Sequence, residues 1–217
     1  MAIKAIIFDM DGVLIDSLES NIMFFQKLMQ KAGYKKPSRK ILKENFHLTM
    51  KDMIRTLTKA SEDEVTRVWK IGKNSRYREF AKIPTGKIPD GSKNVIDMLS
   101  HKYRMGIVTG RIKIGVQEVF RLSRNRRLFS AIVSFEDYAK PKPDTEPLLV
   151  ALKRLKVKPE EAVYIGDAET DMLAAKAAGM HFILYSKKRV KGADLCVRSF
   201  SQIPEAILKI ENAEGNK

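Results

Sequence analysis

Ile3-Lys4-Ala5-Ile6-Ile7-Phe8-Asp9-Met10-Asp11-Gly12-Val13-Leu14-Ile15-Asp16 is the stretch that decides the fold. Its first part is a short, nearly continuous apolar run rich in isoleucine. Such a run suits a strand covered on both faces, as in a parallel sheet. It ends abruptly in Asp-Met-Asp-Gly, residues that favour a tight loop over continued pairing. A buried strand that delivers two carboxylates to its C-terminal end is the starting point for the rest of the chain.

Downstream, the pattern first becomes helical. Leu18, Ile22, Phe25, Leu28 and Met29 recur at helical spacing over 17–32, and Gly33 is a stop signal. Further helical patterns follow at about 38–45, 49–60 and 62–82, with Ser61 and Glu64 placed as a capping box for the last. Ile83-Pro84-Thr85-Gly86-Lys87-Ile88-Pro89-Asp90-Gly91 then reads as a linker. Beyond it the rhythm alternates. Helices are predicted near 91–102, 113–123 and 145–155, and one follows Asp167. Strands are predicted at 105–108, near 131–134, at 162–165 and at 181–185. Alternating strands and helices predict an α/β fold with a doubly wound parallel sheet. The domain reading is a core of residues 1–16 and 89–217, with a small all-helical domain, 17–88, inserted after the first strand. The tail, 212–217, reads as frayed.

Composition bounds the possibilities. The 217 residues carry 41 lysines and arginines against 26 aspartates and glutamates, a formal net charge of +15. The chain is long enough to bury a core without crosslinks. Its only cysteine, Cys196, excludes an intrachain disulfide and is in keeping with a reducing, cytoplasmic setting. The first apolar run stops at Asp9, too short for a signal peptide, and no apolar stretch is long enough to span a bilayer. The charge alone leaves nucleic acid, an anionic membrane and a phosphorylated substrate open. Its distribution narrows the choice: residues 17–88 hold 17 basic and 7 acidic residues, so two-thirds of the excess sits in one-third of the chain.

In open α/β sheets, ligands bind outside the carboxyl ends of the strands. Four such ends here carry reactive residue types: Asp9 with Asp11, Thr109, the Lys140 loop, and Asp167 with Asp171. The set resembles the motifs of the haloacid-dehalogenase-like (HAD) hydrolases, in the branch of phosphoglycolate phosphatase and β-phosphoglucomutase. Asp9-Met10-Asp11-Gly12-Val13-Leu14-Ile15-Asp16 matches the first motif and Ile107-Val108-Thr109-Gly110 the second. Lys140-Pro141-Lys142-Pro143 matches the third and Gly166-Asp167-Ala168-Glu169-Thr170-Asp171 the fourth. The likeness runs through nearly the whole chain and implies a Rossmann-like core with a helical cap.

The resemblance also implies roles, and each has a physical reason. Asp9 would be the carboxylate nucleophile that forms an aspartyl-phosphate and splits the reaction in two. Asp11 would protonate the leaving group and then activate water. A magnesium ion would be held by Asp9, the Asp11 backbone carbonyl and Asp167, with Asp171 binding directly or through water. Thr109, with backbone N–H groups near Gly110, would cradle phosphoryl oxygens, and Arg111 is a candidate substrate contact. Lys140 would supply fixed positive charge to the phosphoryl group and to Asp9. Lys142 is its rival, but the Lys-Pro-x-Pro alignment selects Lys140. Asp16 reads as a hinge or cap.

Other features have plainer readings. Arg121-Leu122-Ser123-Arg124-Asn125-Arg126-Arg127 has the look of a nucleic-acid patch, but its place at a helix end favours a solvated turn. His47, His101 and His181 lack metal-ligand spacing, and Trp69 with Val65 and Val68 reads as helical core. In the basic insert, Lys51, Arg55, Lys73, Arg76 and Arg78 are either a solvated face or candidate anion contacts, and the latter would favour a substrate with a second anionic group.

The expected activity is magnesium-dependent hydrolysis of a small phosphorylated metabolite, phosphoglycolate-like or a sugar phosphate. One alternative is a sugar phosphomutase of the β-phosphoglucomutase type. Those relatives carry Gly and Arg where His47 and Met50 stand in this sequence, which weakens that reading. The other alternative is a nucleic-acid or polyanion-binding protein on the same scaffold. Dehalogenases lack the second aspartate of the first motif, so Asp11 favours phosphoryl chemistry.

Overall fold

A computed structural model of the chain describes residues 2–75, 83, 85–187 and 191–215. It contains two compact units, 1–15 with 88–217, and 16–87.

In the first unit the described strands form one six-stranded sheet, and every pairing is parallel. They are β1 (Ala5–Phe8), β2 (Arg104–Val108), β3 (Ala131–Val133), β4 (Ala162–Gly166), β5 (His181–Tyr185) and β6 (Leu195–Val197), in the order β3-β2-β1-β4-β5-β6. The unit's helices are α5 (Ser92–Ser100), α6 (Lys113–Ser123), α7 (Glu146–Leu155), α8 (Glu169–Ala177) and α9 (Ile203–Gly215). The strand alternation assigns the two faces. Ile6, Phe8, Val163 and Ile165 pack with residues of α5, α6 and α9, while Ala5, Ile7, Ala162 and Tyr164 pack with residues of α7 and α8. All four residues of β1 are fully buried, which is why its sequence reads as an unbroken apolar run. From β1 the chain builds outward to β2 and β3, and then returns to place β4 on the other side. The ends of β1 and β4 therefore meet at the switch point of the sheet, where such folds bind ligands.

The second unit contains α1 (Leu18–Lys31), α2 (Arg39–Glu44), α3 (Met50–Thr58) and α4 (Glu62–Ser75). Their apolar stripes meet in a core that includes Ile22, Leu28, Leu42, Ile54 and Val68. Side-chain oxygens of Ser38 and Thr49 accept from the backbone N–H groups of Ile41 and Asp52, capping α2 and α3. Asp16 and Lys87 exchange backbone hydrogen bonds of 2.8 and 3.0 Å, pinning the unit's two ends together. This gives Asp16 a backbone role. The capping box expected at Ser61 does not form. The Glu64 carboxylate accepts instead from Tyr34 and Arg67, each at 2.7 Å. Of the helix expected over 62–82, residues 76–82 lie outside the described residues.

Two elements were not read from the sequence: β6, only three residues long, and α9, which runs into the tail expected to fray.

Gly106 in β2 shows how closely the core is filled. A Cβ there would lie 2.9 Å from Leu155 Cδ1 and 3.2 Å from Ile7 Cγ1. Gly106→Val should lower the unfolding free energy by about 1–3 kcal/mol, since over-packing forces shifts in a dense interior. Urea denaturation at unchanged m-value is the measurement, and equal midpoints would contradict the packing.

Candidate active site

The site is built from strand ends. Phe8 pairs with Ile107 of β2 and Ile165 of β4, and the Asp9 N–H donates to the Ile165 carbonyl at 2.8 Å. This brings Asp9, Thr109 and Asp167, one residue past β1, β2 and β4, to the same edge of the sheet. Gly12 turns the chain at φ 82°, and a Cβ there would lie 2.0 Å from Asp167 Oδ2. Only glycine allows both the turn and the approach. At Gly166 a Cβ would fall 2.6 Å from Asp171 Oδ2, so glycine is needed there too.

Carboxylate oxygens of Asp9, Asp167 and Asp171 lie within 4.8 Å of one another. One ammonium, that of Lys142, serves this cluster. Its three donors are all used, on Asp9 Oδ1 at 2.7 Å, Asp171 Oδ1 at 2.5 Å and the Tyr164 hydroxyl at 2.9 Å. Asp171 is saturated. Its Oδ1 also accepts from Tyr164, and its Oδ2 accepts from the backbone N–H groups of Asp167 and Ala168, both at 3.2 Å. The carboxylates of Asp9 and Asp167 are far less engaged. Among the described residues Lys142 is the only hydrogen-bond donor to the Asp9 carboxylate, and the Asp167 carboxylate has none.

The electrostatics follow from burial and crowding. Desolvation pushes the Asp9 carboxyl up to about 7; Lys142 opposes this and Asp171 adds to it. Asp167 is pushed up to about 8, by burial first and then by Asp9 and Asp171. Burial alone would lower Lys142, but Asp171 and Asp9 outweigh it and hold the ammonium well above its ordinary range. Buried carboxylates that repel one another and lack donors attract a further cation. Clustered oxygen donors are what Mg²⁺ takes. The residues therefore fit the expected metal, with Asp9 and Asp167 as the available ligands. Asp171 is better placed to orient its neighbours. The Asp11 carboxylate lies outside the cluster, so only its backbone carbonyl remains as the ligand implied by the resemblance.

Lys140 is corrected. It is exposed, and its N–H donates to Glu146 at 2.8 Å. A turn, in which the Asp144 N–H donates to the Pro141 carbonyl at 3.0 Å, instead presents Lys142 to the carboxylates. The sequence held a signal. Read in register from Lys142, Lys142-Pro143-Asp144-Thr145 keeps the Lys-Pro pair and gives up only the second proline.

Thr109 is buried, and its Oγ1 accepts from the Arg111 N–H at 3.1 Å. A Cβ at Gly110 would meet no atom within 4 Å, so open space lies beside it. Arg111 is buried and grips Asp11 with two bonds, Nε to Oδ2 at 2.7 Å and Nη2 to Oδ1 at 2.6 Å. Burial would lower this guanidinium, but Asp11 outweighs it and the group stays above its ordinary range. Its remaining Nη1 has no hydrogen-bond partner among the described residues.

The candidates in the helical unit divide. The Arg55 guanidinium is engaged by Asp52 at 2.5 Å and by Glu62 at 2.7 Å. Lys51 and Lys73 lie over the Trp69 ring at 5.1 and 5.0 Å from its centroid. Arg76 and Arg78 lie outside the described residues.

Residues 6–185, which hold this site, match the sequence profile of the haloacid dehalogenase-like hydrolases. The chain belongs to that family. It is a HAD-type phosphatase, the enzyme class expected from the four motifs. Pyrophosphatase PpaX from Bacillus cereus is 28% identical, over 82% of this chain and 81% of that protein. A solved HAD-superfamily hydrolase of subfamily IA, variant 1, from Geobacter sulfurreducens is 28% identical. It has a TM-score of 0.71 and covers 94% of this chain and 96% of its own. β-Phosphoglucomutase from Clostridium difficile, 24% identical, shares the fold with a TM-score of 0.84 over 99% of this chain and 100% of that one. Among the described residues no helix is long and apolar enough to cross a membrane.

The two lysines can be separated. Lys142→Met should lower kcat by about a hundredfold or more, as expected for losing a preorganised charge at a reacting centre. Lys140→Ala, at an exposed position, should stay within about twofold. Steady-state phosphate release from both variants decides, and the opposite order would return the role to Lys140.

Proposed function

We propose that the protein is a magnesium-dependent phosphatase of small phosphorylated metabolites, acting through an aspartyl-phosphate on Asp9. The single observation that carries this reading is the carboxylate cluster of Asp9, Asp167 and Asp171 around Lys142. Magnesium, held by Asp9, Asp167 and the Asp11 carbonyl, would supply positive charge to the reacting centre. Lys142 fixes Asp9 and offsets charge on the transferring group. Thr109 and the N–H groups beside Gly110 hold phosphoryl oxygens. An Asp9 oxygen bonds to phosphorus as the bond to the leaving group breaks. Water then attacks phosphorus, releases phosphate and restores Asp9.

The Arg111–Asp11 pair bears on the leaving group. With both oxygens gripped by N–H donors, Asp11 is arranged to accept hydrogen bonds and not to donate one. An alkoxide leaving group needs a proton from it, whereas phosphate departs as a stable anion. The unmatched Arg111 Nη1 also offers a donor to a second phosphate. The relative named as a pyrophosphatase points the same way. Pyrophosphate is therefore the first substrate to test, ahead of phosphoglycolate and sugar phosphates. The basic helical unit is proposed as the cap that selects the substrate, on its position after the first motif and its charge.

Phosphate release with Mg²⁺ should be faster from pyrophosphate than from phosphoglycolate or β-glucose 1-phosphate, and should stop with EDTA. Asp9→Asn should reduce it by about a thousandfold or more. Metal-independent turnover, or turnover retained by Asp9→Asn, would overturn the mechanism. A sugar phosphate preferred over pyrophosphate would overturn only the substrate choice.

A further inference from the structure

A second concavity lies at the β3 edge of the sheet, between α6, β3 and α7. It is a solvent-open hollow of about 800 Å³ and shares no residue with the carboxylate cluster. Four cations line it: Lys113, Arg121, Arg126 and Arg154, against the single carboxylate of Asp137. Asp137 is committed already. It accepts from the Ser134 hydroxyl at 2.7 Å and pairs with Arg154 at 2.9 Å and with Lys113 at 3.6 Å. Although burial would raise it, Arg154 and Ser134 hold it well below the usual carboxylate range. Arg121 has no ion-pair partner among the described residues, and the Arg126 guanidinium bonds only the Phe129 carbonyl, at 2.9 Å.

The wall between these charges is apolar, formed by Val116, Phe120 and Ile132. Arg126 lies over the Phe120 ring, 5.8 Å from its centroid. Gln117 adds an amide that can both donate and accept. A bare inorganic anion would leave the apolar wall wet. A fatty acid brings a single carboxylate and would leave either Arg121 or Arg126 unmatched. An aromatic base carrying two or three phosphates meets both demands, because arginines bind phosphate bidentately and stack on planar rings. The volume falls within the range of small-molecule sites, and the cations ring one concavity and do not form the extended stripe that tracks a polynucleotide. Ser134, the one hydroxyl lining the pocket, is tied to Asp137, so no nucleophile is presented there.

We propose that this pocket is a binding site for a nucleoside di- or triphosphate, separate from the catalytic centre. The rim is joined to the catalytic loop. Lys113 lies two residues after Arg111, and the Phe135 N–H, next to Ser134, donates to the Arg111 carbonyl at 2.9 Å.

The test is calorimetric titration of the full chain with the non-hydrolysable ATP analogue adenosine 5′-(β,γ-imido)triphosphate. Saturable binding is expected. The double variant Arg121→Glu/Arg126→Glu should weaken it by about tenfold or more, the scale of two lost charge-assisted contacts. Both side chains are exposed, so unchanged circular dichroism and p-nitrophenyl phosphate turnover should show that the variant is otherwise intact. Asp9→Asn should leave this binding in place. No saturable binding, or affinity lost in Asp9→Asn but kept in the double variant, would overturn the site. Tighter binding of single-stranded DNA than of the analogue would overturn the ligand class in favour of a polynucleotide.

Discussion

One ammonium among three carboxylates is the constraint around which the catalytic unit is arranged. Lys142 reaches Asp9 at the end of β1 and Asp171 in the helix after β4, so a single side chain ties the third motif to the first and fourth. Each partner is displaced from its ordinary chemistry by being kept from water. Burial and repulsion push the Asp9 carboxyl up despite Lys142, whereas the carboxylates outweigh burial at Lys142 and hold it charged. The match is incomplete, for three carboxyl groups share one ammonium. That shortfall gives a divalent cation and an anionic phosphoryl group somewhere to bind. The surrounding glycines follow from the same crowding, since Gly12 and Gly166 stand where any Cβ would collide with Asp167 or Asp171.

Much of this was legible in the sequence, for identifiable reasons. The strand at Ala5–Phe8 is buried on both faces and so reads as an apolar run. Asp9, Thr109 and Asp167 each follow such a run directly, so strand ends alone place them together. The failures came where position depends on a turn or on a side chain's alternatives. Lys140 and Lys142 have the same chemistry two residues apart, and only the turn closed from Asp144 to Pro141 decides which one points inward. Arg55 read as a candidate anion contact, and its bond to Glu62, seven residues away across a helix end, is one that helical spacing does not reveal. The grip of Arg111 on Asp11 spans 100 residues of sequence and has no local signature. The strand β6 has three residues, too few for a period to show.

The division of labour among the carboxylates is a matter of which oxygens are already occupied. Asp171 accepts four hydrogen bonds and Asp11 is held by a bidentate arginine, whereas Asp9 has one donor and Asp167 none among the described residues. A saturated carboxylate has little left to give a metal or a phosphorus atom, and an unsaturated buried one is costly until something arrives. The same aspartate chemistry therefore yields two kinds of group. Asp9 and Asp167 are poised to take on ligands. Asp171 and Asp11 hold basic side chains in position. Hydrogen-bond occupancy, more than residue type or motif position, separates the carboxylates open to a ligand from those already committed.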